Sequence, residues 1–213
     1  MENTNEIITY YMYKVEKLKD EIEDLNEKIE HLNNGLITLK DSLMGDEHAS
    51  RRVELAVITF GPVNIVNDFY TATNFNPPKL HASGMTPMGE AIETAIDMVN
   101  TRKEEYKRNG IKYYRPWILL LTDGEPNDNY SRASRMIREG EETKAFSFFA
   151  VGVQGANMDK LAEISVRKPL PLSGLKFSEL FVWLSASMTT VSHSIIGSGS
   201  VKLPEPTWTN LEI

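Results

Sequence analysis

Between Val15 and Leu43 the apolar residues fall at Val15, Leu18, Ile22, Leu25, Ile29, Leu32, Leu36, Leu39 and Leu43, in steps that alternate three and four. That spacing is a heptad seam along one face of a helix, and Ile8 and Tyr11 carry it backwards with the same period. Lys17, Asp20, Glu23, Asp24, Glu27 and Glu30 fill the other faces, so the pattern is amphipathic rather than apolar all round. A helix of roughly 40 residues would reach about 60 Å at 1.5 Å per residue, longer than a domain built from the rest of the chain is wide. It therefore projects or meets a partner.

With Val15 at position a, Val15, Ile22, Ile29 and Leu36 occupy a, while Leu18, Leu25, Leu32 and Leu39 occupy d, a choice that favours parallel two-stranded pairing. Charge does not support a parallel homodimer, because Lys14 at g would face Lys19 at the following e, and the later pairs Glu21/Asn26 and Lys28/Asn33 offer no compensation. A hetero-partner or an antiparallel arrangement stays open. Leu36, Leu39 and Leu43 are expected to pack on the domain that follows; Val15, Leu18, Ile22, Leu25, Ile29 and Leu32 are expected to face a partner helix. Ile7 to Tyr13 also admits a strand from its β-branched and aromatic content, with helix the preferred reading.

After the polar stretch Gly45 to Ser50 the period changes. Val53 to Phe60 is a near-continuous apolar run bounded by Arg51-Arg52 and Gly61-Pro62, which predicts a strand covered on both faces. Val63 to Tyr70 predicts a second strand after a tight turn. Thr86-Pro87 followed by Glu90 marks a helix start with Thr86 as its cap, and the helix runs through Ala91, Ile92, Ala95, Ile96 and Val99. Trp117 to Leu121 predicts a strand that ends in Thr122-Asp123-Gly124-Glu125-Pro126. A helix at Ser131 to Arg138, a strand at Ala145 to Val153, a helix at Met158 to Ile164, a short strand at Leu170 to Leu172 and a helix at Phe177 to Val191 follow. Strands alternating with helices predict a parallel, doubly wound α/β domain with ligands at the carboxyl ends of its strands. The chain then divides into an acidic helix over 1–32, continuous with a domain over 33–195, and a Gly/Ser/Pro-rich tail over 196–213 expected to wrap the surface.

Charge sharpens that division. The formal net charge is −7 over 213 residues, and residues 1–50 hold 12 acidic against five basic side chains, which leaves the remainder balanced. With no basic excess to displace counterions from phosphates, a nucleic-acid partner is not expected. There is no cysteine, which removes disulfides, thiolate metal sites and a Cys nucleophile together. The longest apolar run, Pro116 to Leu121, falls far short of the roughly 20 residues a bilayer span needs, and Glu2 and Glu6 stand where a secretory leader would be basic. The expectation is a cytoplasmic protein with no membrane partner.

Candidate chemistry is sparse. Asp123 at a strand end, with a nearby hydroxyl such as Thr86, suits a hard divalent cation that takes oxygen ligands. Each also has a structural reading, Asp123 bonding neighbouring backbone N–H groups in its turn and Thr86 capping the helix, and Asp128 is read as a surface turn residue. His31, His48, His81 and His193 lack metal-ligand spacing, Ser83, Ser185 and Ser187 lack a nucleophile elbow, and no phosphate loop is present. No catalytic residue is assigned, and the chain is not expected to be an enzyme.

The stretches RRVELAVITFG, SGMTPMGEAIETAIDMV, YYRPWILLLTDGEPND, FSFFAVGVQGANMDKLAEIS and FSELFVWLSASMTTVSHS resemble a von Willebrand factor A domain of the bacterial tellurium-resistance TerY-like group, over about residues 33 to 208. The resemblance implies a Rossmann-like fold with a metal-ion-dependent adhesion site at the sheet top, and it assigns Thr86 to the second loop of that site and Asp123 to the third. The first loop, Asp-x-Ser-x-Ser at the end of a central strand, is absent; residues 19 to 24 stand in its place and read Lys-Asp-Glu-Ile-Glu-Asp in unbroken heptad phase. Mg²⁺ is then expected only if another chain supplies the missing ligands. Without that central strand, Val53 to Phe60 and Trp117 to Leu121 either close on each other or accept a donated strand, both preferred to filling by residues 6 to 13. The function implied is a non-enzymatic protein-interaction module of a tellurite-type stress-resistance or defence system, docking through the sheet top and the N-terminal helix. The alternatives are a coiled-coil-driven assembly protein carrying the domain as a passenger, and a metal-dependent enzyme built on Asp123.

Overall fold

The heptad pattern is carried by one helix, α1, spanning Glu2–Met44. The computed structural model describes residues 2–195 and 201–209, and before Lys14 the only side chain described is that of Met12. Ile7 to Tyr13 are helical, so the strand alternative for them is not what forms, while the seam positions Ile8 and Tyr11 lie outside the described side chains. The 43 residues of α1 make a rod of about 65 Å. Its seam changes character along its length. Leu36, Leu39 and Leu43 are buried, whereas Val15, Leu18 and Ile22 are each more than half exposed.

The polar stretch after α1 forms a short helix that the apolar pattern did not predict, α2 at Glu47–Arg52, because the Asp46 carboxylate accepts from the N–H groups of His48 at 3.0 Å and Ala49 at 2.7 Å. Strands β1 (Glu54–Thr59) and β2 (Asn64–Thr71) then pair as an antiparallel hairpin. Its turn holds Gly61 at φ 138°, where a Cβ would lie 2.2 Å from the Ser83 carbonyl oxygen. Only glycine tolerates that backbone crossing. Helix α3 (Met88–Arg108) leads to β3 (Trp117–Thr122), followed by α4 (Ser131–Glu142), β4 (Ser147–Gly152), α5 (Met158–Ile164), β5 (Leu170–Pro171) and α6 (Phe177–Ser192).

The strands form two sheets rather than one. β3, β4 and β5 make a parallel three-stranded sheet in the order β3-β4-β5, with Trp117 opposite Ser147 and Thr122 opposite Gly152. The β1-β2 hairpin is a separate sheet, and β1 is not hydrogen-bonded to β3, so closure of those two strands, one of the two preferred alternatives, does not occur. The expected two-sided burial of the first strand fails with it: within β1 only Leu55 is buried, and its neighbours are half-buried.

Burial divides into two apolar clusters that the sheet separates. Leu36, Leu39 and Leu43 of α1 pack with Phe177, Leu180, Phe181 and Leu184 of α6, and Trp117, Leu119 and Leu121 of β3 lie against them. Ile118 and Leu120, the alternate residues of β3, join Ile92, Ile96 and Val99 of α3 and Ile137 of α4. The Phe181 ring of α6 packs tightly on Gly35 of α1, where a Cβ would sit 2.4 Å from it. Asn33 ties the same stretch of α1 to the 74–82 loop, donating to the Leu80 carbonyl at 3.0 Å and accepting from its N–H at 2.8 Å. The tail is anchored rather than merely draped: Trp208 is fully buried, its ring 5.6 Å from that of Trp183, and Trp183 Nε1 donates to the Pro204 carbonyl at 2.8 Å. Residues 196–200 and 210–213 of the tail lie outside the described residues.

One buried charge is paired several times over. Glu141, its side chain 7% exposed, receives Arg115 at 2.6 Å, Arg167 at 2.7 Å and the N–H of Phe148 at 2.7 Å. Burial alone would push its carboxyl up; the Arg167 and Phe148 hydrogen bonds and the two guanidinium charges outweigh that and hold it below the ordinary glutamate range. No helix among the described residues is long and apolar enough to cross a membrane.

Candidate functional site

Three features stand out, and the first is the cluster where β3 ends. Asp123 follows the last residue of β3, and its Oδ2 lies 3.7 Å from the ammonium of Lys28, which reaches over from α1. Lys28 also pairs with Asp24 at 2.7 Å and donates to the Gln154 carbonyl at 3.2 Å, so its side chain is only 14% exposed. Thr86 reaches the same place from the other side. Its hydroxyl lies 3.2 Å from where a Gly124 Cβ would be, and its carbonyl accepts from the N–H groups of Met88 at 2.7 Å and Asn127 at 3.1 Å. The two residues singled out from the sequence, Thr86 and Asp123, thus sit on neighbouring loops at one sheet end.

Their structural roles differ from expectation. α3 begins at Met88, so Thr86 stands one residue too early to cap it, and Pro87 has no side chain to do so. The free N–H groups of Gly89 and Glu90 instead take the carboxylate of Asp128, at 3.0 and 2.9 Å, from the loop after β3. Asp128 is therefore a helix cap delivered across the chain, not a plain surface turn residue. Nor does Asp123 bond its own turn. The Thr122 hydroxyl accepts from Gly124 N–H at 3.1 Å, and Asp123 turns to Lys28.

The donor set bears on any divalent cation. Among the described residues there is no group of three or more His, Asp or Glu side chains placed to hold a metal ion. Asp123 and Thr86, with Asp24 reached only through the Lys28 ammonium at 2.7 Å from it and 3.7 Å from Asp123, do not fit a hexacoordinate oxygen site, because the donors are too few and the ammonium between the carboxylates repels a second cation. Lys28 escaped the sequence reading as a site residue. Its only signal was its position g in the heptads, next to the seam that lies against the domain.

A cleft of about 630 Å³ opens from this cluster and runs between β1 and β3 for their whole lengths, bounded by every residue from Glu54 to Phe60 and from Trp117 to Asp123. Ile29, Leu32 and Leu36 of α1 line one side, and Ile92, Ala95 and Val99 of α3 the other. Its far end is closed by Glu54, which accepts a bidentate pair from Arg102 at 2.8 and 2.6 Å and a short hydrogen bond from the Tyr106 hydroxyl. Burial, then the bond to Glu54, push the Tyr106 phenol up to about 12. The Glu54 carboxylate thereby holds the start of β1 to α3 through three side-chain hydrogen bonds.

The third feature is the outer seam of α1. Val15, Leu18, Ile22 and Leu25 are 52, 55, 56 and 38% exposed, while Ile29 and Leu32 are half-buried at the cleft. The sequence grouped these six together; the structure gives Val15, Leu18 and Ile22 to solvent and Ile29 and Leu32 to the cleft, with Leu25 at the boundary, partly exposed and lining the mouth of the cleft. The histidines are less scattered than their numbering suggests. His48 and His193 meet edge to face at 4.7 Å, with His193 Nε2 2.9 Å from Asp46, a contact that ties the end of α6 to the start of α2.

A family model for the von Willebrand factor type A domain matches residues 27–171, beginning inside α1 and ending at the last residue of β5. No curated protein matches the chain.

Proposed function

Because the chain belongs to the von Willebrand factor type A domain family, whose members generally serve in protein interaction or adhesion, we propose that it is a non-enzymatic protein-interaction module that docks a partner helix on the outer half of α1. The observation that carries this reading is the seam itself. One apolar stripe on one helix is buried over Leu36, Leu39 and Leu43 and left in water over Val15, Leu18 and Ile22. A stripe of three large apolar residues in heptad phase is costly to expose and gains a partner's burial on association. The strand-end cluster of Lys28, Asp123 and Thr86 supplies a second, polar contact surface, with Mg²⁺ joining only where a partner brings carboxylates. The setting proposed is a cytoplasmic bacterial stress-resistance or defence system of the tellurite type, a reading supported by the resemblance of five stretches of the chain to the TerY-like group.

The test places a photo-crosslinking amino acid at Ile22 or, one residue on and facing away from the seam, at Glu23, in cells of the encoding organism. Discrete protein adducts at Ile22 and none at Glu23 are expected. Equal labelling at both positions, or none at Ile22, rejects the seam as an interaction surface. An adduct at twice the chain's mass identifies the partner as a second copy.

A further inference from the structure

The geometry points to a strand-acceptor slot: the cleft between β1 and β3 takes one extended segment of about six residues, apolar on both faces, from a partner polypeptide, and its backbone joins the two sheets into one. The inference rests on the chain being a protein-interaction module and names the form of the partner at a surface separate from the outer seam.

Four observations carry it. First, the cleft is walled along its length by two strand edges, β1 and β3, of six residues each, and neither is hydrogen-bonded to the other. Rows of backbone N–H and C=O groups on both sides call for a ligand that presents donors and acceptors on both of its edges at the strand repeat, which is an extended polypeptide. Second, the two edges run the same way. Glu54 and Trp117 begin at the end where α3 finishes, through the Glu54–Arg102 pair and the 109–116 connection, and Gly61 and Gly124 both end against the 83–86 loop. One inserted strand therefore stands in the same sense to both neighbours. Third, the floor and roof are apolar, Ile29 and Leu32 on one side and Ile92 and Val99 on the other, so both faces of the guest must be apolar, as in a strand buried within a parallel sheet. The polar groups are at the ends, Glu54–Arg102 at one and Lys28–Asp123 at the other.

Fourth, the described segments of this chain with apolar, extended character are already committed. Ile7 to Tyr13 is in α1, and residues 201–209 are held on α6 by the buried Trp208. The half-buried state of β1, whose sequence reads as a fully buried strand, is what an unfilled neighbour position produces.

The experiment uses the full chain and fluorescent peptides in which six residues drawn from Val, Ile and Leu lie between pairs of lysines, with protein titrated into dilute peptide and anisotropy recorded. Two further versions of the best binder carry N-methyl groups on the odd or on the even central residues. Alternate residues of a strand address opposite edges, so insertion between two strands needs both sets of N–H groups. Binding that weakens at least tenfold for the odd and for the even version, with gained hydrogen-exchange protection in both β1 and β3, is the expected result. If only one version weakens, the peptide adds to a single edge and the slot is refuted; if neither weakens, the cleft is an apolar sink without strand pairing. A peptide panel that does not bind at all also overturns the inference. Should it fail while Ile22 still crosslinks, the slot is wrong and the interaction module stands; loss of both removes the broader reading.

Discussion

Leu39 and Ile22 lie on the same seam of the same helix, and the structure gives them opposite fates. Leu39 is 3% exposed in the cluster where α1 packs on α6, and Ile22 is 56% exposed. Truncating each to alanine separates the half of the seam that belongs to the fold from the half that awaits a partner. For Leu39→Ala the loss combines the transfer free energy of the removed carbons with the cavity they leave, about 2–5 kcal/mol in a core of this kind. The upper part of that range is expected, because the Phe181 ring already packs directly against Gly35 and leaves little room for α1 and α6 to collapse further. For Ile22→Ala the side chain is mostly hydrated already and alanine is the better helix former, so the change stays within about 0.5 kcal/mol.

Urea unfolding followed by circular dichroism and by the tryptophan signal reads both, with an unchanged slope and a shifted midpoint for Leu39→Ala. At roughly 2–4 °C per kcal/mol for a chain of this size, its melting temperature should fall by several degrees or more. The division of the seam is wrong if Leu39→Ala costs under about 1 kcal/mol, or if Ile22→Ala costs as much as Leu39→Ala at concentrations where the chain is a monomer. A penalty for Ile22→Ala that grows with protein concentration would show the seam pairing with a second copy.

Three further outcomes are expected. Glu141→Gln leaves Arg115 and Arg167 without their buried carboxylate and should cost about 3 kcal/mol at pH 7. Because the Glu141 carboxyl is held below its ordinary value of 4.5, its contribution is present above that value and is lost as pH falls through the folded-state pKa, so the gap between wild type and variant in urea midpoints should narrow on acidification below about pH 4.5; a gap that widens contradicts the pairing. Asp128→Ala removes the cap of α3 and should cost about 1 kcal/mol with faster hydrogen exchange at Gly89 and Glu90, and Asp128→Asn should recover part of it; unchanged exchange at those two amides would deny the cap. Calorimetric titration of the isolated chain with Mg²⁺ or Mn²⁺ should give no saturable heat, since Lys28 already neutralises Asp123; saturable binding would overturn the reading of this donor set.

Much of the architecture was legible from period alone. The three-four spacing located α1, and the runs at Trp117 and Ala145 located β3 and β4 to within two residues at each end, because long periodic segments report which face is buried. The short helix α2 was missed for the complementary reason: its stability comes from a cap, Asp46, and not from an apolar stripe. At the strand end, the sequence singled out Thr86 and Asp123 because polar residues after apolar strands stand out. Lys28 and Asp128 did not, since one looked like any solvated heptad charge and the other like any turn residue, and both act on partners far along the chain.

The sequence by itself determined the long periodic elements and their order, the acidic excess before residue 51, and the lack of an Asp-x-Ser-x-Ser motif, all of which are local properties of composition and spacing. Tertiary structure alone decided how each periodic face is spent. Where along α1 the seam leaves the core, whether β1 and β3 meet, and which cation stands beside Asp123 depend on what the rest of the chain places opposite each residue. A heptad looks the same whether a partner covers it or not, and an apolar strand reads as buried even when one of its edges faces an open cleft.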